Sequence, residues 1–118
     1  MRARVQLGRP IISQQAIRFL LADMARDIEG ARLLTWRAAW LADQGWTSNI
    51  PASMAKAFGA ELAMRVTTNA LQVLEGYGYM RDYPVEKWMR DAKVLQIVEC
   101  TSQIQRVVIS QTLAMGVE

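Results

Sequence analysis

The sequence holds no histidine, one cysteine and three prolines among its 118 residues. Without histidine there is no Ser-His-Asp triad, no imidazole metal ligand and no imidazole proton shuttle. The i, i+3 carboxylate–histidine spacing of a di-iron bundle is missing for the same reason. A lone Cys100 excludes an internal disulfide and a cysteine zinc site, and a reducing, cytoplasmic setting is the expectation. No stretch reaches the about 20 apolar residues of a membrane-spanning helix, and the opening MRARVQLGRP lacks a signal peptide's apolar region. The 14 basic and 11 acidic residues are scattered and leave a net charge of +3. No basic run follows a phosphate backbone and no short turn precedes a basic recognition helix, which argues against a nucleic-acid partner.

What is present is helical. Hydrophobic residues make up 52% of the chain and charged residues 21%, a globular composition at a length suited to one domain spanning 1–118. From Ser13 to Asp43, Ile17, Leu20, Leu21, Met24, Ile28, Ala31, Ala38 and Leu41 recur at steps of three, four and seven, which predicts a long amphipathic helix. Leu33, Trp36 and Trp40 add a second apolar line. Gly45 suits its C-terminal cap, and a second helix is expected from Pro51 to Gly76. EGYGYMRDYP reads as a loop, Val85–Val98 as a third helix, and Ser102 with Gln105 as the capping box of a fourth. No segment alternates as a strand would. The expected fold is all-α, two long helices and two short ones. The opening MRARVQLGRPI has no helix cap or turn signal before Gly8 and reads as the tail of an element that begins elsewhere. The apolar faces left over then predict self-association.

Glu99 is the principal candidate for chemistry. It follows the apolar run Val94, Leu95, Ile97, Val98 and precedes a helix start, so desolvation and helix amides act on it in opposite directions. A general base is one reading; a solvated glutamate at a helix end is the more ordinary one. Arg4, Gln6, Gln72 and Gln103 suit a phosphate-bearing or heterocyclic ligand, or are plain surface groups. Cys100 has neither a histidine nor a basic neighbour to activate it as a nucleophile. GYGY is too short for a dinucleotide fingerprint, and EKWMRDAK is expected to carry surface ion pairs of little weight.

The stretch ALQVLEGYGYMRDYPVEKWMRDAKVLQIVECTSQIQRVVIS resembles the C-terminal helical domain of the flavin-dependent acyl-CoA dehydrogenases. That family has a Gln, a Gly-Gly-Tyr-Gly-Tyr turn, an Arg-Asp-Ala-Lys helix and then Tyr-Glu-Gly-Thr-Ser-Gln-Ile-Gln-Arg. RVQLGRPIISQQAIRFLLADMARDIEGARLL is similar to its Arg-x-x-Phe-Gly-x-Pro-Ile segment and following helix. The resemblance implies an up-and-down helical bundle lacking its first helix, without the N-terminal helical and middle β-domains. It implies Glu99 as the base that takes the α-proton of an acyl-CoA while hydride passes to FAD, giving a trans-2-enoyl-CoA. An electron-transfer flavoprotein would then receive the electrons. It places Thr101 and Gln103 on the FAD of their own subunit, and Arg4, Gln6, Leu7, Ile11, Gln15, Gln72 and Gly76 on that of a neighbour, hence a homodimer or higher oligomer. No metal is implied.

Four positions depart from the pattern. Leu7 stands for Phe, Glu75 for the first Gly of the turn, Val98 for Tyr and Cys100 for Gly. Glu75 puts negative charge near the expected pyrophosphate, and the Cys100 side chain is expected to narrow the acyl-CoA pocket. Together they weigh against tight FAD binding and turnover by this chain alone. A non-catalytic helical oligomerisation or interaction module is the second reading.

Overall fold

A computed structural model describes residues 4–46 and 49–116. Residues 1–3 of the opening and 47–48 of the first linker, on which part of the sequence reading fell, lie outside them. The chain begins with a two-stranded hairpin, β1 (Val5–Gln6) and β2 (Arg9–Pro10), and a single 3-10 turn at Ile11–Ser13. Helices α1 (Gln15–Asp43), α2 (Asn49–Leu74), α3 (Gly76–Tyr79), α4 (Val85–Leu95) and α5 (Ser102–Ala114) follow. The all-α expectation holds, and the two long helices fall close to where periodicity put them.

Helix α2 is the axis on which α1, α4 and α5 all pack. It buries Ser53, Ala60, Leu62 and Val73, and small side chains at two of these positions let neighbouring backbones approach closely. Helix α1 turns Ile17, Leu20, Leu21, Met24, Ala31, Ala38 and Leu41 inward, all buried or half-buried. Asp27 of α1 accepts from Arg65 of α2 at 2.6 Å and tethers the pair. A hydrogen bond from Arg26, with Arg65 adding to it, holds the Asp27 carboxyl below its usual range against the opposing pull of desolvation. Gly45, at φ +74, ends α1 in the left-handed conformation its sequence position suggests.

The resulting core is thin. No large side chain among the described residues is fully buried, and the chain exposes 8410 Å², about 30% more than the about 6,500 Å² expected of a compact monomer of this mass. Its radius of gyration is 17.7 Å, against about 13.5 Å for a compact domain of this length. Leu33, Trp36, Trp40 and Trp46 are each more than half exposed. The second apolar line on α1 is therefore real, and nothing among the described residues covers it.

Several expectations are corrected. The opening, where no strand or turn signal before Gly8 is expected, carries a β-hairpin turned by Leu7 (φ +53) and Gly8 (φ +76), successive positive φ values of the tight primed hairpin turn. The third helix stops at Leu95 rather than Val98. The EGYGYMRDYP loop contains the four-residue helix α3, held by Tyr77 against Tyr83 edge-to-face at 6.0 Å between ring centroids. Thr101, not Ser102, caps α5: its Oγ1 accepts from the Ile104 amide at 3.3 Å. Ser102 is buried with its hydroxyl unpartnered among the described residues. On α4 the expected ion pairs form, Arg90 to Glu86 at 2.9 Å and Lys87 to Asp91.

Candidate functional site

The connection between α4 and α5 is built from tight turns. The amides of Ile97 and Val98 both return to the Val94 carbonyl, at 2.9 and 3.0 Å, and so end α4. The chain then places two successive residues in the left-handed region, Glu99 at φ +54 and Cys100 at φ +67. The Ser102 amide closes the turn on the Gln96 carbonyl at 3.2 Å, and Gln105 Nε2 donates to the Glu99 carbonyl at 3.4 Å. Lys56 of α2 donates to the Leu95 carbonyl and anchors the turn's near side.

This backbone pushes Glu99 outward. Its carboxylate is exposed and takes part in no hydrogen bond or ion pair among the described residues. Its own amide also finds no acceptor there, and neither do the amides of Cys100 and Thr101. The apolar run before it, read as buried, is instead open: Val94, Leu95, Ile97 and Val98 are 42% to 57% exposed. The apolar surroundings expected for Glu99 are therefore not supplied by the described residues. Beside the turn lies a hollow of about 200 Å³ lined by Glu61, Lys93, Gln96, Ile97, Thr101, Ser102 and Gln103.

The remaining candidates gather elsewhere. Arg4 Nη1 donates to the Val73 carbonyl at 2.6 Å, and Nη2 pairs with the Glu75 carboxylate, which docks the hairpin onto the C-terminal end of α2. Gln6 and Leu7 project from the hairpin, and Gln15, Gln72 and Gly76 are exposed. Ile11 is only 6% exposed and acts in packing. The Glu99 turn packs near Lys56 and Glu61, whereas Arg4 packs at Val73. At 1.5 Å per residue, Val73 lies about 18 Å from Glu61 and about 26 Å from Lys56 along α2. The structure thus brings Thr101 and Gln103 beside Glu99 and keeps the Arg4 group apart.

Two residues were missed. Gln105, read as half of a capping box, supports the Glu99 carbonyl. Gly78 is the buried glycine of GYGY, against which a Cβ would meet the Leu71 carbonyl oxygen at 2.8 Å. Its exposed neighbour Gly76 drew the attention instead.

Comparison with known proteins decides the family. The profile for "Acyl-CoA dehydrogenase, C-terminal domain" matches residues 1–114. The chain belongs to the acyl-CoA dehydrogenase family. An acyl-CoA dehydrogenase of Bacillus subtilis is 51% identical over 113 residues, 96% of this chain and 30% of that protein. The butyryl-CoA dehydrogenase of Megasphaera elsdenii superposes with a TM-score of 0.94 at 44% identity, covering 96% of this chain and 30% of that one. The FAD complex of PigA superposes with a TM-score of 0.92 at 26% identity, covering 98% and 30%. The chain therefore spans about 30% of the length of the relatives it matches. Within the family's C-terminal domain, among the described residues, no helix is long and apolar enough to cross a membrane.

The fit to a flavin is divided. Thr101 and Gln103 line an open hollow beside unpaired amides, which suits one edge of a flavin. At about 200 Å³ that hollow is an edge and not a complete cofactor pocket. At the other cluster Arg4 already carries the Glu75 carboxylate, and that corner does not fit a diphosphate.

Cys100 bears a conformational cost. An L-residue in the left-handed region loses about 1–2 kcal/mol that glycine does not. Cys100→Gly is expected to stabilise the chain by about 1 kcal/mol and raise its melting temperature by about 4 °C. Thermal melts of the two proteins check this, and a variant that melts no higher would sink the strain assignment.

Proposed function

We propose that this chain is the base-bearing C-terminal domain, residues 1–118, of an acyl-CoA dehydrogenase. Helical and β-domains outside this sequence would supply the rest of the active site. The observation that carries the reading is the geometry of Glu99. One left-handed turn presents an unpaired carboxylate and the unpaired amide of the same residue, next to a hollow lined by Thr101 and Gln103.

The carboxylate takes the proton from the α-carbon of an acyl-CoA thioester. The Glu99 amide donates to the thioester oxygen, where negative charge develops as that proton leaves. A bound FAD supplies the acceptor for the β-hydride, and the product is a trans-2-enoyl-CoA. Thr101 and Gln103 would hold one edge of the flavin, and the Cys100 side chain would narrow the acyl entrance. Gln6, Leu7, Gln15, Gln72 and Gly76 would form a second surface toward the FAD of a neighbouring subunit, with Ile11 packed beneath it and Arg4 held there by Glu75. The separation of about 18 to 26 Å between the clusters supports that division. A homodimer or higher oligomer would cover the exposed tryptophan face, an electron-transfer flavoprotein would take the electrons, and the setting would be cytoplasmic.

The exposed face of α1 also favours a second reading, a helical oligomerisation or interaction module without catalysis. A chimaera separates the two, with this chain replacing the matched segment of the Bacillus subtilis enzyme. The catalytic reading expects a yellow protein whose flavin absorbance bleaches anaerobically on adding butyryl-CoA. An assembled chimaera that binds flavin and never bleaches would leave only the module reading.

A further inference from the structure

We propose that Glu75 is a built-in counter-ion that occupies, from within the chain, the place a diphosphate would take on Arg4. The inference rests on the family reading above and concerns the cluster remote from Glu99.

The Arg4 side chain is 11% exposed, and a cation this deep must be paired. The chain pairs it internally. Nη1 donates to the Val73 carbonyl at 2.6 Å, at the negative end of α2, and Nη2 donates to the Glu75 carboxylate. Nε is buried without a partner among the described residues. No arm of the guanidinium that reaches the surface is left without an oxygen. An incoming diphosphate would have to displace a carboxylate already in contact, and would meet that like charge on a side chain 62% exposed.

The backbone supports a specific role for this carboxylate. Glu75 adopts φ 49, ψ −130, a glycine conformation that costs another residue about 1–3 kcal/mol. The side chain held there at that cost is the one that reaches Arg4. Beside it the surface is open, since a Cβ placed on Gly76 would meet nothing within 4 Å. The corner is closed by charge and not by bulk.

Calorimetric titration of the chain with inorganic pyrophosphate, ADP and adenosine tests this. The wild-type chain is expected to show no pyrophosphate binding at millimolar ligand. Glu75→Gln removes the charge and keeps the backbone, and Glu75→Gly removes both charge and strain. Each is expected to bind pyrophosphate and ADP at least about ten-fold more tightly than the wild type, about 1.4 kcal/mol. Adding Arg4→Met to either variant abolishes the gain. Glu75→Gly is expected to melt higher than Glu75→Gln, since both lose the carboxylate and only the glycine relieves the backbone, which separates strain from charge. Wild-type binding as tight as that of Glu75→Gln would overturn the proposal, as would an equal gain for adenosine, which carries no phosphate. If the Arg4→Met proteins do not fold, the comparison of Glu75→Gln with the wild type decides alone. Bleaching of the chimaera by butyryl-CoA reports separately on Glu99, so failure of one reading is distinguishable from failure of the other.

Discussion

Glu99→Gln in the chimaera leaves flavin bound but slows its bleaching by butyryl-CoA about 10²- to 10⁴-fold, the range a positioned general base contributes. In barrier terms this is about 3–5 kcal/mol. Glutamine has nearly the same shape and can keep the backbone amide in place, but it cannot take the proton. The structure makes the exchange unusually clean. The Glu99 carboxylate is exposed and makes no hydrogen bond or ion pair among the described residues, so removing its charge breaks no structural contact. Both residues also meet the same left-handed backbone at φ +54. The melting temperature should therefore stay put while the rate falls. Stopped-flow absorbance and a thermal melt on the same samples check the two halves. Bleaching at the unchanged rate would remove Glu99 from the chemistry.

Much of the fold could be read from hydrophobic spacing. The inward residues of α1, from Ile17 through Met24 to Leu41, recur at helical steps because one face must be buried on α2. What could not be read depends on positive φ. Leu7, Glu75, Glu99 and Cys100 all lie in the left-handed half of the map, where residue type gives no warning unless it is glycine. Hence the hairpin turn at Leu7-Gly8 is not foreseen, and the end of α4 is expected three residues late. Exposure was misread for a related reason. The run Val94 to Val98 is apolar as a buried segment is, but no surface among the described residues buries it. The proposal for Glu99 rests on its neighbours: composition leaves it an ordinary glutamate, and the flanking Arg-Asp-Ala-Lys and Thr-Ser-Gln-Ile-Gln-Arg residues carry the resemblance that makes it the proposed base. Among the four departures from the family pattern, Glu75 and Cys100 gained a physical meaning in the structure, because each puts a side chain on backbone suited to glycine. Nothing in the structure explains Val98.

Gly78→Ala is expected to be the most destabilising single-methyl change in the chain. Helix α3 lies across the end of α2 so closely that a Cβ at Gly78 would sit 2.8 Å from the Leu71 carbonyl oxygen, 2.9 Å from Leu74 Cβ and 3.2 Å from Leu71 Cα. Two of these three atoms are backbone, and Leu71 and Leu74 belong to the last turns of α2, so no side-chain rotation relieves the clash. Overpacking of this kind costs about 1–3 kcal/mol, and a backbone partner places Gly78 at the upper end. The conformation itself is not at issue, since Gly78 is absent from the positive-φ glycines. At about 4 °C per kcal/mol the melting temperature should fall by about 10 °C, a large share of the stability a domain this size possesses. Gly76→Ala is the matched control two residues away: it is exposed, with nothing within 4 Å of its Cβ, and should change stability by no more than about 0.5 kcal/mol. Equal melting temperatures for the two variants would mean that α3 does not pack on α2 as described. The Arg4 corner would then lose its footing as well, because Glu75 reaches Arg4 from the residue that joins those two helices.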